Sequence, residues 1–109
     1  MYKDMVKATV AFLPAEPLRG ERCFQVGYAV AQPFRGQGIA SDVLRKSIDE
    51  MRQGFKVHMK QFYIEAVVGT DNLASRRVAE KVLTKDFDEI ADKASGLPAV
   101  QFVRLISTE

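Results

Sequence analysis

The segment from Gly27 to Ala40 reads GYAVAQPFRGQGIA and joins two kinds of hydrophobic periodicity. Around the start of the segment, every second residue from Phe24 to Val30 is apolar or aromatic, which is typical of a strand. After it, apolar residues from Ile39 to Met51 recur at helical spacing. Pro33 cannot donate to a sheet ladder, and the glycines at 36 and 38 favour a tight turn. The segment therefore predicts a strand, a glycine turn and a helix in that order.

The first half of the chain is predicted to hold two strands and this helix. Met5 to Leu13 is rich in strand-forming residues. A turn-rich connection is predicted at Pro14, Pro17 and Gly20, and a second strand, antiparallel to the first, from Arg22. Gly54 is the predicted end of the helix.

The second half is predicted to hold a buried strand, a helix and two further strands. The strand is Phe62 to Val68, with Glu65 as its only charge. Either Asp71 or Asn72 caps the helix, whose apolar stripe is Ala74, Val78 and Val82. The last strands are Phe87 to Ala91 and Ala99 to Ile106. The fold class predicted is α/β with a mixed sheet, in one domain spanning residues 1–109.

Composition excludes several classes of function. The chain has 109 residues with 16 basic and 14 acidic side chains, a balance that favours neither nucleic acid nor a membrane surface as a partner. No apolar run approaches the roughly 18 residues of a membrane span. The single cysteine, Cys23, rules out an internal disulfide, is predicted to be a packed hydrophobe and fits a cytoplasmic location. The single histidine, His58, is predicted to lie on the surface in the loop before a strand. One histidine without a Cys or Asp cluster argues against a metal site.

The glycine turn is the feature with the most chemical content. A helix that begins beside glycines presents unpaired N–H groups, and its dipole favours a phosphate. Arg35 would add positive charge at the rim. The turn is not a P-loop, because no Gly-Lys-Ser/Thr follows, and it lacks the third glycine of a dinucleotide fingerprint. By itself the turn is also compatible with a simple tight connection.

Two ordered motifs resemble the GNAT superfamily of N-acetyltransferases. The central motif of that family is Arg/Gln-x-x-Gly-x-Gly/Ala between a strand and a long helix, and Arg35, Gly38 and Ala40 fill its places. The stretch from Ile64 to Ser75, IEAVVGTDNLAS, resembles the later family strand and the Asn-x-x-Ser start of its helix. The similarity is greatest to the branch that acetylates ribosomal-protein N-termini.

The resemblance implies a mostly antiparallel mixed sheet with two main helices, lacking the usual N-terminal strand and helices. It also implies acetyl-coenzyme A as cofactor, held by three groups of residues. Backbone N–H groups of Gly36, Gln37, Gly38, Ile39 and Ala40 would bind the pyrophosphate, bordered by Arg35. Ala29 and Val30 would bind the pantetheine and thioester, and Asn72 and Ser75 would lie near the sulfur. The two central strands, ending near Val30 and Val68, would splay apart to admit the cofactor.

The catalytic residues are less well defined. The family tyrosine that protonates the departing thiolate falls at Ala79, so Ser75 is the nearest candidate acid, with helix capping as its alternative role. Glu65 is the candidate general base, with a paired arginine or solvent exposure as the alternative. Glu21 is a further candidate, and a bound water relay is another route.

The function implied is transfer of acetyl from acetyl-coenzyme A to a primary amine of an unknown small-molecule or peptide acceptor. One alternative is a catalytically silent coenzyme A-binding or regulatory module with the same fold. Another is a small interaction domain whose glycine turn binds no cofactor. Only Tyr2 to Asp4 precede the first predicted strand, so the acceptor side is expected to be open or completed by a second copy. Exposed apolar faces there predict a homodimer.

Overall fold

A computed structural model describes residues 8–30, 38–93 and 95–109. Within them lie five strands and two helices in the order predicted. They are β1 (Ala8–Leu18), β2 (Glu21–Val30), α1 (Ile39–Phe55), β3 (Gln61–Gly69), α2 (Leu73–Val82), β4 (Asp88–Ala91) and β5 (Pro98–Ser107).

The strands form one mixed sheet in the order β1-β2-β3-β5-β4. The pairs β1–β2, β3–β5 and β4–β5 are antiparallel, and only β2 and β3 run parallel among the described strands. A parallel neighbour needs a crossover, and α1 provides it between β2 and β3. The predicted fold class, a mostly antiparallel mixed sheet with two helices, is therefore confirmed.

Both helices pack on the same face of the sheet. The even-numbered residues of β3 and β5 point to this face, where they meet the apolar residues of α1 and α2 in one cluster. The fully enclosed members include Phe62, Ile64, Phe102, Leu44 and Ala79. The opposite side of the sheet, made by odd-numbered residues such as Leu13, Glu65, Val67, Gln101 and Leu105, is called here the open face, because neither described helix packs on it.

The prediction that β1 ends at Leu13 was wrong, because the strand continues through both prolines to Leu18. Pro14 pairs with Phe24 in the ladder, and the register shifts between Ala15 and Leu18. An edge strand tolerates proline, since an N–H on its outer side needs no partner within the sheet. The chain reverses instead at Arg19 and Gly20, which both adopt positive φ, at 52° and 82°. Residues 5–7 of the predicted strand lie outside the described residues.

Two details of the predicted helices were also wrong. Gly54 lies inside the last turn of α1, which ends at Phe55, and it does not adopt the left-handed conformation of a terminating glycine. In α2 the predicted stripe included Ala74, which is exposed, whereas Ala79 is fully buried beside Val82. The buried apolar residues of α2 therefore lie in its C-terminal half.

Candidate cofactor cleft

The two central strands separate partway along their length. β2 and β3 are paired only from Cys23–Tyr63 to Gln25–Glu65. Beyond that point β2 stays paired with β1 as far as Val30, and β3 stays paired with β5 as far as Gly69. A gap, here called the cleft, therefore opens between residues 26–30 of β2 and residues 66–69 of β3. This is the splay expected from the family resemblance.

An aromatic cluster holds the strands together just before they separate. Phe24 of β2 stacks on Phe55 of α1 at a centroid distance of 5.4 Å. The ring of Phe62 on β3 meets both edge-on, at 5.9 Å and 5.3 Å. Such arrangements add favourable ring contacts to the burial of apolar area. The cluster thus stabilises the paired end of β2 and β3.

The first turn of α1 has the geometry expected of an anion site. Gly38 is the N-cap residue with φ 74° and ψ 8°, a left-handed conformation that glycine adopts without strain. The Asp42 N–H donates to the Gly38 carbonyl at 3.1 Å, which begins the helical pattern. The N–H groups of Ile39, Ala40 and Ser41 precede this bond and have no partner within the helix. Gly38 has no side chain to cap them, and a Cβ built on it would meet no atom within 4 Å.

The other predicted cofactor residues fall in two groups. Ala29 and Val30 are the last residues of β2, so their backbone lines the cleft on one side. Arg35, Gly36 and Gln37 lie outside the described residues. The end of β2 therefore forms one side of the cleft, and the roles of the individual residues in cofactor binding remain predictions.

Asn72 and Ser75 meet at the start of α2. The Asn72 side chain is the N-cap and accepts a hydrogen bond from the Ser75 N–H at 3.2 Å. Of the two predicted caps, Asn72 rather than Asp71 fills the position. The capping bond uses the Ser75 backbone and not its hydroxyl, so the hydroxyl is not required for the cap.

Sequence reasoning did not identify Tyr28, which contributes a long-range contact at the cleft. Its phenol O–H donates to the Ser75 carbonyl at 2.7 Å and so connects β2 to the first turn of α2. Burial raises the pKa of Tyr28 to about 12, which keeps the phenol protonated across the physiological range. The alternation in β2 predicted only that Tyr28 lies on the same side of the strand as Phe24 and Val26. A half-buried tyrosine hydroxyl usually finds a partner, and this was the available signal.

Glu65 lies on the open face at the point where the strands separate. The Gln101 Nε2 group on β5 donates to Glu65 Oε2, and both side chains are partly buried. The alternative partner predicted for Glu65 was an arginine or solvent, and the residue that pairs with it is a glutamine. Cys23, across the β2–β3 ladder, is buried as predicted. Burial, together with the nearby Glu65 carboxylate, raises the pKa of its thiol.

A mixed sheet whose two central strands separate beside a glycine-started helix is also found in a known family of domains. Residues 7–82 match the family model described as the acetyltransferase (GNAT) domain. The chain therefore belongs to the GNAT acetyltransferase family. No curated protein matches it in sequence.

Solved structures share the fold at low sequence identity. A GNAT-family acetyltransferase from Bordetella pertussis superposes with a TM-score of 0.67 at 18% identity over 90% of this chain and 57% of that one. A ribosomal-protein-alanine N-acetyltransferase from Brucella melitensis gives 0.67 at 19% identity, over 97% and 65% respectively. A ribosomal L7/L12 α-N-protein acetyltransferase in complex with coenzyme A gives 0.57 at 24% identity, over 80% and 49%. The chain thus spans about half to two thirds of the length of these proteins.

Along the described ranges, neither helix combines the length and apolar character needed to cross a membrane.

Proposed function

We propose that residues 1–109 act as a single domain that binds acetyl-coenzyme A and transfers its acetyl group to a primary amine. The observation that carries this proposal is the joint geometry of Gly38 and the cleft. A left-handed glycine begins α1 with uncapped N–H groups, and β2 before it leaves its parallel partner after Gln25. One feature suits a diphosphate and the other leaves backbone groups of β2 available to pantetheine amides.

The residues present fit this cofactor. N–H groups from Gly38 to Ala40, with Gly36, Gln37 and Arg35 before them, would hold the pyrophosphate. The backbone of Ala29 and Val30 would bind the pantetheine and donate to the thioester oxygen, which stabilises negative charge as it develops. The bound cofactor supplies an activated acyl thioester. One solved structure with this fold, the ribosomal L7/L12 α-N-protein acetyltransferase, is described in complex with coenzyme A, which supports the proposal.

Glu65 is proposed as the general base that accepts a proton from the attacking amine. Its carboxylate lies on the open face, and Glu65 is the last residue of β3 that pairs with β2. Gln101 occupies one carboxylate oxygen and leaves the other available. Ser75 is proposed as the acid that donates a proton to the departing thiolate. Its hydroxyl is not used in the cap, which involves only the Ser75 N–H.

Glu65→Gln is expected to lower kcat by about 100-fold while the Kd for acetyl-coenzyme A stays unchanged, because it removes the base and preserves the shape of the side chain. Steady-state kinetics with a reactive amine and calorimetry with the cofactor measure the two quantities. Glu50→Gln, at an exposed position in the second half of α1, is the matched control and should leave both near the wild-type values. An unchanged kcat in Glu65→Gln would remove Glu65 from the mechanism.

The transfer itself is tested by coenzyme A release across a panel of small amines and peptide N-termini. Release that depends on one amine class supports the transferase and identifies the acceptor. A second candidate, the catalytically silent coenzyme A-binding module, is favoured by Ala79, which is fully buried where the family carries a tyrosine. Tight cofactor binding with no release on any amine would support this second function.

A homodimer is proposed through the open face. Leu13 and Leu105 lie on it with 64% and 44% of their surface exposed, and Val67 and Val103 are only partly buried. A self-complementary dimer would cover this apolar surface. The buried thiol of Cys23 is compatible with the reducing cytoplasm proposed as its location.

In sedimentation velocity the chain is expected at twice the 12.2 kDa of one copy. Leu105→Lys should weaken the dimer by about 30-fold, because a lysine charge would have to be desolvated at the interface. Val57→Lys, at a position that is 89% exposed beyond the end of α1, is the control and should remain dimeric. A wild-type monomer at high concentration would contradict the proposal.

A further inference from the structure

The hydrogen bond from Tyr28 to Ser75 connects two parts of the cleft that the sheet itself leaves unconnected. Beyond Gln25, β2 has no described ladder partner on the β3 side. On its other side it is paired with β1, where Tyr28 faces Val10. The phenol of Tyr28 then reaches the Ser75 carbonyl at 2.7 Å. This bond therefore joins the β2 wall of the cleft to the helix that follows β3.

The helix α2 is held to the sheet by a side chain at each end. At its C-terminal end, Arg104 of β5 donates from its guanidinium to the Val82 carbonyl at 2.6 Å. At its N-terminal end the Tyr28 bond reaches the first turn, the same turn that Asn72 caps. A carbonyl has two acceptor lone pairs, so Ser75 can accept from Tyr28 and still form its helical bond. The bond thus positions the first turn of α2 without disrupting it.

We infer that Tyr28 is a positioning residue for the cofactor: its phenol sets the distance between the β2 backbone and the Asn72–Ser75 turn, and so the width of the cleft on the helix-facing side. This inference rests on the proposed function, because the cofactor it concerns is acetyl-coenzyme A. The phenol of Tyr28 is not proposed as an acid, because its proton is already donated to the Ser75 carbonyl.

A consequence is that the two faces of the cleft differ. On the helix-facing side, the Tyr28–Ser75 bond spans the cleft, and Tyr28 packs against the core cluster. On the open face, no described helix lies over Glu65 and Gln101. An amine acceptor would then approach from the open face, between the two copies of the proposed dimer, beside the Glu65 carboxylate.

Tyr28→Phe tests the inference, because it removes the hydroxyl and keeps the ring in the core. The Kd and the KM for acetyl-coenzyme A should each rise about five- to tenfold, which is the effect of losing one hydrogen bond that orders the site. The value of kcat should stay within about twofold of the wild type. A purely structural loss would instead lower the fraction of folded enzyme, which lowers apparent kcat and leaves KM unchanged.

Tyr63→Phe is the matched control. Tyr63 is the neighbouring tyrosine of the same sheet, on β3, and its ring lies under the Arg19 guanidinium at 5.6 Å on the opposite face. Its hydroxyl should have no effect on Kd or KM. Circular dichroism establishes that both variants are folded.

The outcomes separate this inference from the proposed function. A wild-type chain that binds coenzyme A, with Tyr28→Phe unchanged in both Kd and KM, would overturn the inference and leave the proposed function standing. A wild-type chain that binds no coenzyme A would overturn both. A Tyr28→Phe variant with raised KM and normal kcat, beside an unaffected Tyr63→Phe, supports the positioning role.

Discussion

Gly38→Asp is expected to weaken binding of acetyl-coenzyme A by about 100-fold, measured by calorimetry. Gly38 begins α1 in the left-handed region, with open space where a side chain would project. A carboxylate placed there would lie beside the proposed diphosphate and repel it. It would also cancel part of the positive potential of the helix N-terminus that attracts the diphosphate. Two unit charges near 4 Å repel by about 4 kcal/mol at an intermediate dielectric, and partial screening leaves about 3 kcal/mol.

Gly38→Asn provides the control that isolates charge from backbone conformation. Asparagine and aspartate have nearly the same shape, and both tolerate positive φ better than other residues with a side chain. Each should lose about 1 kcal/mol of stability relative to glycine, from the conformation alone. The Gly38→Asn variant should retain cofactor binding within about tenfold of the wild type, because the substitution adds no charge. Equal losses in the two variants would show that the effect is conformational and that no anion binds there.

Phe62→Ala is expected to lower the free energy of unfolding by about 3–5 kcal/mol, measured by urea denaturation. Phe62 has no exposed surface, and its ring is the shared member of the cluster with Phe24 and Phe55. Removing it leaves a cavity and loses two edge-on ring contacts. Because a small domain has a total stability of only about 5–15 kcal/mol, this variant should be near the limit of folding.

Phe87→Ala is the matched control for Phe62→Ala. Phe87 also contacts a core ring, that of Phe102, at a centroid distance of 5.6 Å, and Arg76 lies over it at 5.0 Å. It is 41% exposed, so its truncation removes less buried area and should cost about 1–2 kcal/mol. Similar losses in the two variants would contradict the assignment of Phe62 to the centre of the core.

The sequence predicted the order of elements because each has a clear local pattern. The glycine turn, the alternation in β2 and the helical spacing after Ile39 depend only on residues close in the chain. The end of β1 was misplaced because the tolerance for Pro14 and Pro17 depends on β1 being an edge strand. That property belongs to the whole sheet and is not visible in a local window.

The contacts of the candidate site were harder to predict for the same reason. Glu65 pairs with Gln101 because the β3–β5 register places these strands side by side, although the two residues are 36 positions apart. The Tyr28–Ser75 bond spans 47 positions and depends on how α2 packs after β3. Residue type suggested that Glu65 and Tyr28 would need partners when buried. Which partners they find is set by tertiary structure.

The central claim is that the N–H groups at the start of α1 hold a diphosphate. The most direct measurement is an NMR titration of the isotopically labelled chain with coenzyme A, following the backbone amide resonances of Gly38, Ile39, Ala40 and Ser41. These four should show the largest shifts on binding, and inorganic pyrophosphate should move them in the same direction. If coenzyme A binds while these amides stay unchanged and others shift, the cofactor lies elsewhere and the account is wrong.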